Sequence, residues 1–348
     1  MMSHNHAPHI IQPLISNDHS SEKNRLITQP RFHFEPHLVM QHLRQRIIAQ
    51  DAALKEIENM LHVVKADFSN PDRPLAVTLM LGPTGVGKTE TVRLIAEAIY
   101  GHADAFCRID MNTLAQAHYA AALTGAPPGY VGSKEGHSLF DEAAIQGSHT
   151  RPGIILFDEL EKASPEVIRG LMNVLDTGKL KLTAGTKTLD FRNCMIFMTS
   201  NIGAHTAQQY LDKLNFFPAK VQQILLKRFS TENIINNAIQ RQFDPEFINR
   251  IDRILHYQTI LDDALPHLVN IELNKLNQRL MLQKRHIDLS ETAKAYFSHQ
   301  HDIRYGARHL TRKIRVELEP LLAMYFLKHP QQSHCYIDCK NQQLIIKN

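Results

Sequence analysis

A chain of 348 residues, 43% of them hydrophobic, is long enough to build one large domain and a smaller one, each with its own core. Its 39 Lys and Arg against 35 Asp and Glu leave a charge of +4, too slight to make nucleic acid or a membrane surface the expected partner. The four cysteines (Cys107, Cys194, Cys335, Cys339) form neither a disulfide framework nor a Cys-x-x-Cys metal spacing, and no apolar run reaches the roughly 18 residues that cross a bilayer. A reduced, cytoplasmic, soluble setting is expected.

Residues 1–35 are rich in His, Ser, Asn and Pro with little apolar periodicity, so a mobile His-rich segment is predicted there. Its start, "MMSHNHAPHI", lacks a secretory pattern. From about Pro36 to Lys65 apolar residues recur at helical spacing. The period then changes. Short apolar runs at 75–81, 105–110, 154–158, 194–200 and 253–258 alternate with stretches long enough for a helix. That alternation predicts an α/β fold, a parallel five-stranded sheet with helices on both faces, over 36–260. Ser164 and Pro165 read as the N-cap and first-turn proline of one helix. Beyond Leu261 the pattern is mainly helical and ends in two strand-like runs, "HCYIDC" and "QLIIK", so 261–348 are expected to form a small α+β domain.

The first strand-like run leads into Gly82-Pro83-Thr84-Gly85-Val86-Gly87-Lys88-Thr89-Glu90 and then a helix. This is the P-loop spacing in the context its chemistry needs. Glycines let the backbone turn its amides toward a phosphate at a helix N-terminus, Lys88 reaches the β and γ phosphates, and Thr89 ligates Mg²⁺. The 154–158 strand ends in Asp158 and Glu159, an acid for the metal and one to polarise the attacking water. The 194–200 strand is followed by Asn201, suited to orienting that water or, taken alone, to capping a turn.

With these residues in place the chain resembles the Clp ATPases of the AAA+ superfamily, in particular the second ATPase module of ClpB- and ClpA-like protein unfoldases. The resemblance runs from about Arg46 to the C-terminus through "GPTGVGKTE", "RIDMN", "GAPPGYVG", "ILFDELEKA", "LDFRN", "MTSN", "FDPEFINRID" and "YGARHLTR", in the family's order. It implies a homo-hexameric ring with ATP and Mg²⁺ between subunits. Arg250 then resembles the arginine finger that reaches the next subunit's γ-phosphate, and Arg308 the small-domain sensor arginine on its own subunit's nucleotide. Ile47 and Ile48 resemble the apolar residues that pack on the adenine. The loop Gly129-Tyr130-Val131-Gly132 resembles the pore loop whose aromatic ring grips a polypeptide, work suited to a side chain with large contact area and few rotatable bonds.

The chain also departs from the family pattern. Ala49 stands where the family has glycine, Ala122 where it has arginine, and Ser133-Lys134 replace an acidic continuation. One ATPase module is read, without a first module, paired N-terminal repeats or a coiled-coil insertion. The aliphatic-Gly-hydrophobic tripeptide of peptidase-feeding members is missing from "DKLNFFPAKVQQ", which argues against a peptidase partner. Recruitment is expected to need an adaptor or a dedicated target. The expected function is an ATP-driven motor that unfolds, threads or disassembles a protein. The alternatives are a AAA+ ATPase remodelling a DNA-bound complex, for which no basic helix or helix-turn-helix is found, and an assembly factor without turnover, against which Glu159 and Arg250 both stand.

Overall fold

Burial along the strands tells which of them lie inside the sheet. The computed structural model describes residues 30–115, 139–181, 188–204, 206–207, 209–210, 231–299 and 306–347. β1 (Ala76–Leu81), β2 (Cys107–Asp110), β3 (Gly153–Asp158), a hairpin of β4 (Lys179–Lys181) and β5 (Thr188–Asp190), β6 (Cys194–Ser200) and β7 (Arg253–His256) follow in chain order. Every residue of β1, β3 and β6 is buried, whereas β2 alternates buried and exposed. The sheet order β2-β3-β6-β1-β7 explains this: the fully buried runs are central strands covered on both faces, and β2 is an edge. All four pairings are parallel, as the alternation of strands and helical stretches predicts.

The period of two divides the central strands between two cores. Leu79, Phe157 and Met198 face one of them, with the helices Pro165–Thr177 and Thr231–Gln242. Met80, Leu156 and Phe197 face the other, with Pro36–Arg44, Asp51–Lys65 and Lys88–Tyr100. Each fully buried Phe or Leu contributes about 1.5–3 kcal/mol. The helix Pro165–Thr177 starts as predicted, with the Ser164 hydroxyl accepting from the Val167 amide and Pro165 in the first turn.

Residues 30–35, read from composition with the N-terminal segment, instead bring Phe32 and Phe34 into the second core, and the Lys65 ammonium donates to the Phe32 carbonyl. The helical stretch 36–65 is two helices, broken at Gln45–Gln50. Ala49 has φ 57°, and the Gln50 amide group fastens the break by donating to the Gln258 carbonyl and accepting from the Gln258 amide.

A third core belongs to the C-terminal part. There β8 (His286–Leu289), a strand the sequence reading missed, lies parallel to β9 (His334–Lys340), which pairs antiparallel with β10 (Gln343–Lys347). The helix from Ala307 to Lys328 widens to a π turn over Ile314–Leu318. Pro320, which lacks an amide and clashes with the carbonyl four residues back, accounts for that widening. Among the described residues no helix is long and apolar enough to cross a membrane.

Candidate active site

Three positive-φ glycines, Gly82 (144°), Gly85 (77°) and Gly87 (106°), carry the chain from the end of β1 into the helix Lys88–Tyr100. At Gly82 a Cβ would come within 2.4 Å of the Tyr257 carbonyl oxygen, so glycine is needed there for room as well as for backbone angle. The first-turn amides of that helix have no intrahelical acceptor and suit an anion. Lys88, only 7% exposed, donates to the carbonyls of Gly82 and Pro83 and to Asn201 Oδ1, at 2.6, 2.7 and 2.8 Å. Its three partners are neutral oxygens. Burial therefore pulls its pKa from 10.5 down to about 8, against the upward pull of Glu161 and Asp158, and Arg308 adds to the lowering.

Asp158 and Glu159 leave β3 beside it. The Asp158 carboxylate accepts from the hydroxyls of Thr199 and Thr89 on one oxygen and from Arg108 Nη2 (2.6 Å) and Nε (3.2 Å) on the other. Glu159 turns in the left-handed region (φ 59°), its amide donating to Thr199 Oγ1 and its carboxylate accepting from Asn112 Nδ2 at 3.0 Å. One hydroxyl, Thr199, thus bonds the Asp158 carboxylate and the Glu159 backbone. A carboxylate oxygen of Glu161 accepts from the Asn201 amide, while its other oxygen is buried without a hydrogen-bond partner among the described residues.

These groups line a cleft of about 340 Å³, within the range of small-molecule sites. Thr84 to Glu90, Asp158, Glu159, Asn201, Ile47, Ile48 and Arg308 all line it. Ile47 belongs to the core around the P-loop helix and Ile48 packs on the C-terminal core, so two adjacent residues bridge the parts that enclose the cleft. The C-terminal part docks directly on the P-loop: the Ala307 amide donates to the Gly85 carbonyl (2.9 Å), and a Cβ on Gly306 would come within 2.6 Å of that oxygen. Lys275 adds ion pairs to Glu272 (3.0 Å) and Glu90 (3.3 Å). Burial pulls the Lys275 pKa down, but the two carboxylates outweigh it and the net shift is upward.

Arg250 does not line the cleft. Its Nε donates to Asp176 Oδ2 at 2.6 Å, and its carbonyl accepts from Arg73, which also donates to the Leu175 carbonyl. Gly129, Tyr130, Val131 and Gly132, with Ala122, Ser133 and Lys134, lie outside the described residues. Sequence reading assigned no role to Arg108, Asn112, Thr199, Glu161 or Lys275. Arg108 and Asn112 in "RIDMN", Glu161 in "ILFDELEKA" and Thr199 in "MTSN" did lie in stretches singled out by resemblance, but nothing local in them tells which partners they meet.

The donors fit a nucleoside triphosphate with a divalent cation. A buried ammonium held only by neutral oxygens is electrostatically unsated, and a hydroxyl and carboxylate (Thr89, Asp158) of the hard-oxygen kind that Mg²⁺ takes stand beside it.

Residues 73–254 match the family model of the AAA domain (Cdc48 subfamily), and residues 261–337 that of the C-terminal, D2-small domain of ClpB protein. The chain is 46% identical to an ATP-dependent protease ATP-binding subunit-like protein, AmiB, of Pseudomonas aeruginosa, over 90% of this chain and 85% of that one. It is 37% identical to the chaperone protein ClpB of Leptolyngbya boryana, over 82% of this chain but 31% of that one. Among solved structures it resembles the closed state of Hsp104 with ATPγS and FITC casein, with a TM-score of 0.75 and 27% identity, covering 89% of this chain and 51% of the other.

Proposed function

The chain belongs to the Clp-type AAA+ ATPases, and on that premise we propose that it works as a homo-hexameric ring motor, cytoplasmic, that unfolds, threads or disassembles a protein partner. The observation that carries this reading is the division of the charges. Lys88, Asp158, Glu159 and Asn201 meet Arg308 in one cleft, while Arg250 is held outside it on Asp176. A cation kept away from its own subunit's cleft is free to serve a neighbour's.

In this mechanism the triphosphate lies along the P-loop amides, and Lys88 exchanges carbonyl partners for phosphate oxygens. Mg²⁺, held by Thr89 and Asp158, would neutralise charge on the phosphates. Glu159 polarises a water and takes its proton as the oxygen attacks the γ-phosphorus; the bond to the bridging oxygen breaks, leaving ADP and phosphate. Asn201 orients that water, and Arg250 of one subunit stabilises the transferring group in the next, a contribution of about 10³ to 10⁵ in rate. Ile47 and Ile48 take the adenine. Arg308 reports the nucleotide to the C-terminal domain, whose backbone already bonds the P-loop at Gly85.

Tyr130 transmits the work to a polypeptide. Its place in "GAPPGYVG" and the family membership support that role. A client delivered by an adaptor, released without a peptidase, completes the reading. Tyr130→Ala is expected to keep ATPase activity and lose remodelling of a protein substrate; parallel loss of both sinks the pore-loop role. Trapping Glu159→Gln with ATP and counting subunits by mass tests the ring.

A further inference from the structure

Asp158 has a counter-ion that the ATPase reaction, as described, does not use. Its carboxylate is 9% exposed and carries bonds on both oxygens, two hydroxyls on Oδ1 and two guanidinium nitrogens of Arg108 on Oδ2. A carboxylate so nearly buried is costly to keep charged unless a cation stands beside it. Lys88 does not bond to it, since that ammonium donates to Gly82, Pro83 and Asn201. Among the described residues, Arg108 is the cation hydrogen-bonded to Asp158.

The partners differ in how firmly they are held. Asp158 is fixed at the end of a central strand and oriented by Thr199. Arg108 sits on the edge strand β2, in register with Leu156 and so two residue pairs back from the acid's own neighbour Asp110. Its side chain runs forward along the strand to reach Asp158 and remains 52% exposed, so it can return to water at small cost. It also lines the cleft, so a released guanidinium stays near the phosphates.

We propose that Arg108 is an exchangeable counter-ion for Asp158: it neutralises the carboxylate while no divalent cation is bound and is displaced when the cation arrives, setting the cation concentration the site requires. The proposal rests on the assignment of Asp158 to the divalent cation. Arg108 is a positioning residue, acting through the acid. Its signature is two opposed effects, because the same pairing that stabilises the metal-free protein competes with the metal.

The test uses Mn²⁺ as probe, with the full-length protein loaded with ADP and free Mn²⁺ read by electron paramagnetic resonance. Arg108→Gln is expected to bind Mn²⁺ about fivefold more tightly, the scale of one partly exposed ion pair, while its metal-free melting temperature falls. Arg108→Lys, which keeps the charge, stays within about twofold of the parent. Unchanged or weaker Mn²⁺ binding in Arg108→Gln overturns the proposal, since a merely structural arginine would weaken both properties. Asp158→Asn separates the two assumptions. It should weaken Mn²⁺ binding by about tenfold and cancel the gain in the double variant with Arg108→Gln. If Asp158→Asn alone binds Mn²⁺ like the parent, the metal assignment fails and the counter-ion role with it; if only the double variant keeps the gain, Arg108 acts elsewhere than on Asp158.

Discussion

Lys88 and Arg250 are two of the cations that the proposed reaction brings to a phosphate, and the fold stores them in opposite ways. Lys88 is buried and held by three neutral oxygens, so it carries a charge that nothing in hydrogen-bond contact neutralises. Arg250 keeps a quarter of its side chain exposed and bonds a carboxylate, Asp176, itself 43% exposed. A buried, under-neutralised charge attracts an anion strongly and permanently. An ion pair that keeps this much contact with water is worth about 1 kcal/mol and exchanges more easily than a buried one. The first arrangement suits binding, the second suits donation to another molecule and withdrawal from it.

The sharpest way to break this comparison is to remove each cation and ask which property fails. Arg250→Ala is expected to lower turnover by about 10³ or more while nucleotide affinity stays within about threefold. If affinity falls with turnover, Arg250 binds its own subunit's nucleotide. Lys88→Met is expected to weaken binding of a fluorescent ADP by about 100-fold or more, the cost of truncating one partner of a buried charged interaction. A loss below about threefold would mean that the P-loop amides suffice.

A smaller effect sharpens the statement about burial. The folded pKa of Lys88, about 8, lies below its ordinary 10.5, so between those values the unfolded chain holds more protons than the nucleotide-free native protein. The Lys88 contribution to stability therefore rises as pH increases through that window. Denaturant midpoints of the parent minus those of Lys88→Met should grow from pH 8 upward; a flat difference would show that the ammonium is better solvated than its exposure indicates. The smallest expected effect concerns the break next to Ile47 and Ile48. Ala49 holds a left-handed φ of 57°, where a Cβ costs about 1 kcal/mol and the extra unfolded-state freedom of glycine offsets part of the gain. Ala49→Gly should raise the melting temperature by about 1 °C. A drop would place the strain elsewhere.

Local features were the readable ones. The P-loop is nine consecutive residues, Gly82 to Glu90, and the strand that carries Asp158 is an unbroken apolar run, so spacing alone identified both. Ser164 and Pro165 identified their helix start for the same reason. The four-residue strand β8 escaped because His286-Ile287-Asp288-Leu289 is too short to show a period against the helical text around it. Arg108 escaped because its partner lies 50 residues along the chain, and Asn112 because Glu159 lies 47 along.

From the order of residues alone follow the parallel α/β sheet, the phosphate loop and the acids at the end of β3, which rest on periodicity and short-range spacing, and the resemblance to the Clp ATPases, which rests on motifs matched in the family's order. Only the tertiary structure decided which polar groups meet: Arg108 with Asp158, Asn112 with Glu159, Asp176 with Arg250, and the Gly85 carbonyl with the Ala307 amide. The reason is physical. Backbone preferences and apolar period act within a turn or a strand, whereas an ion pair forms between whichever groups packing of the cores brings within about 3 Å, and no local pattern encodes that meeting.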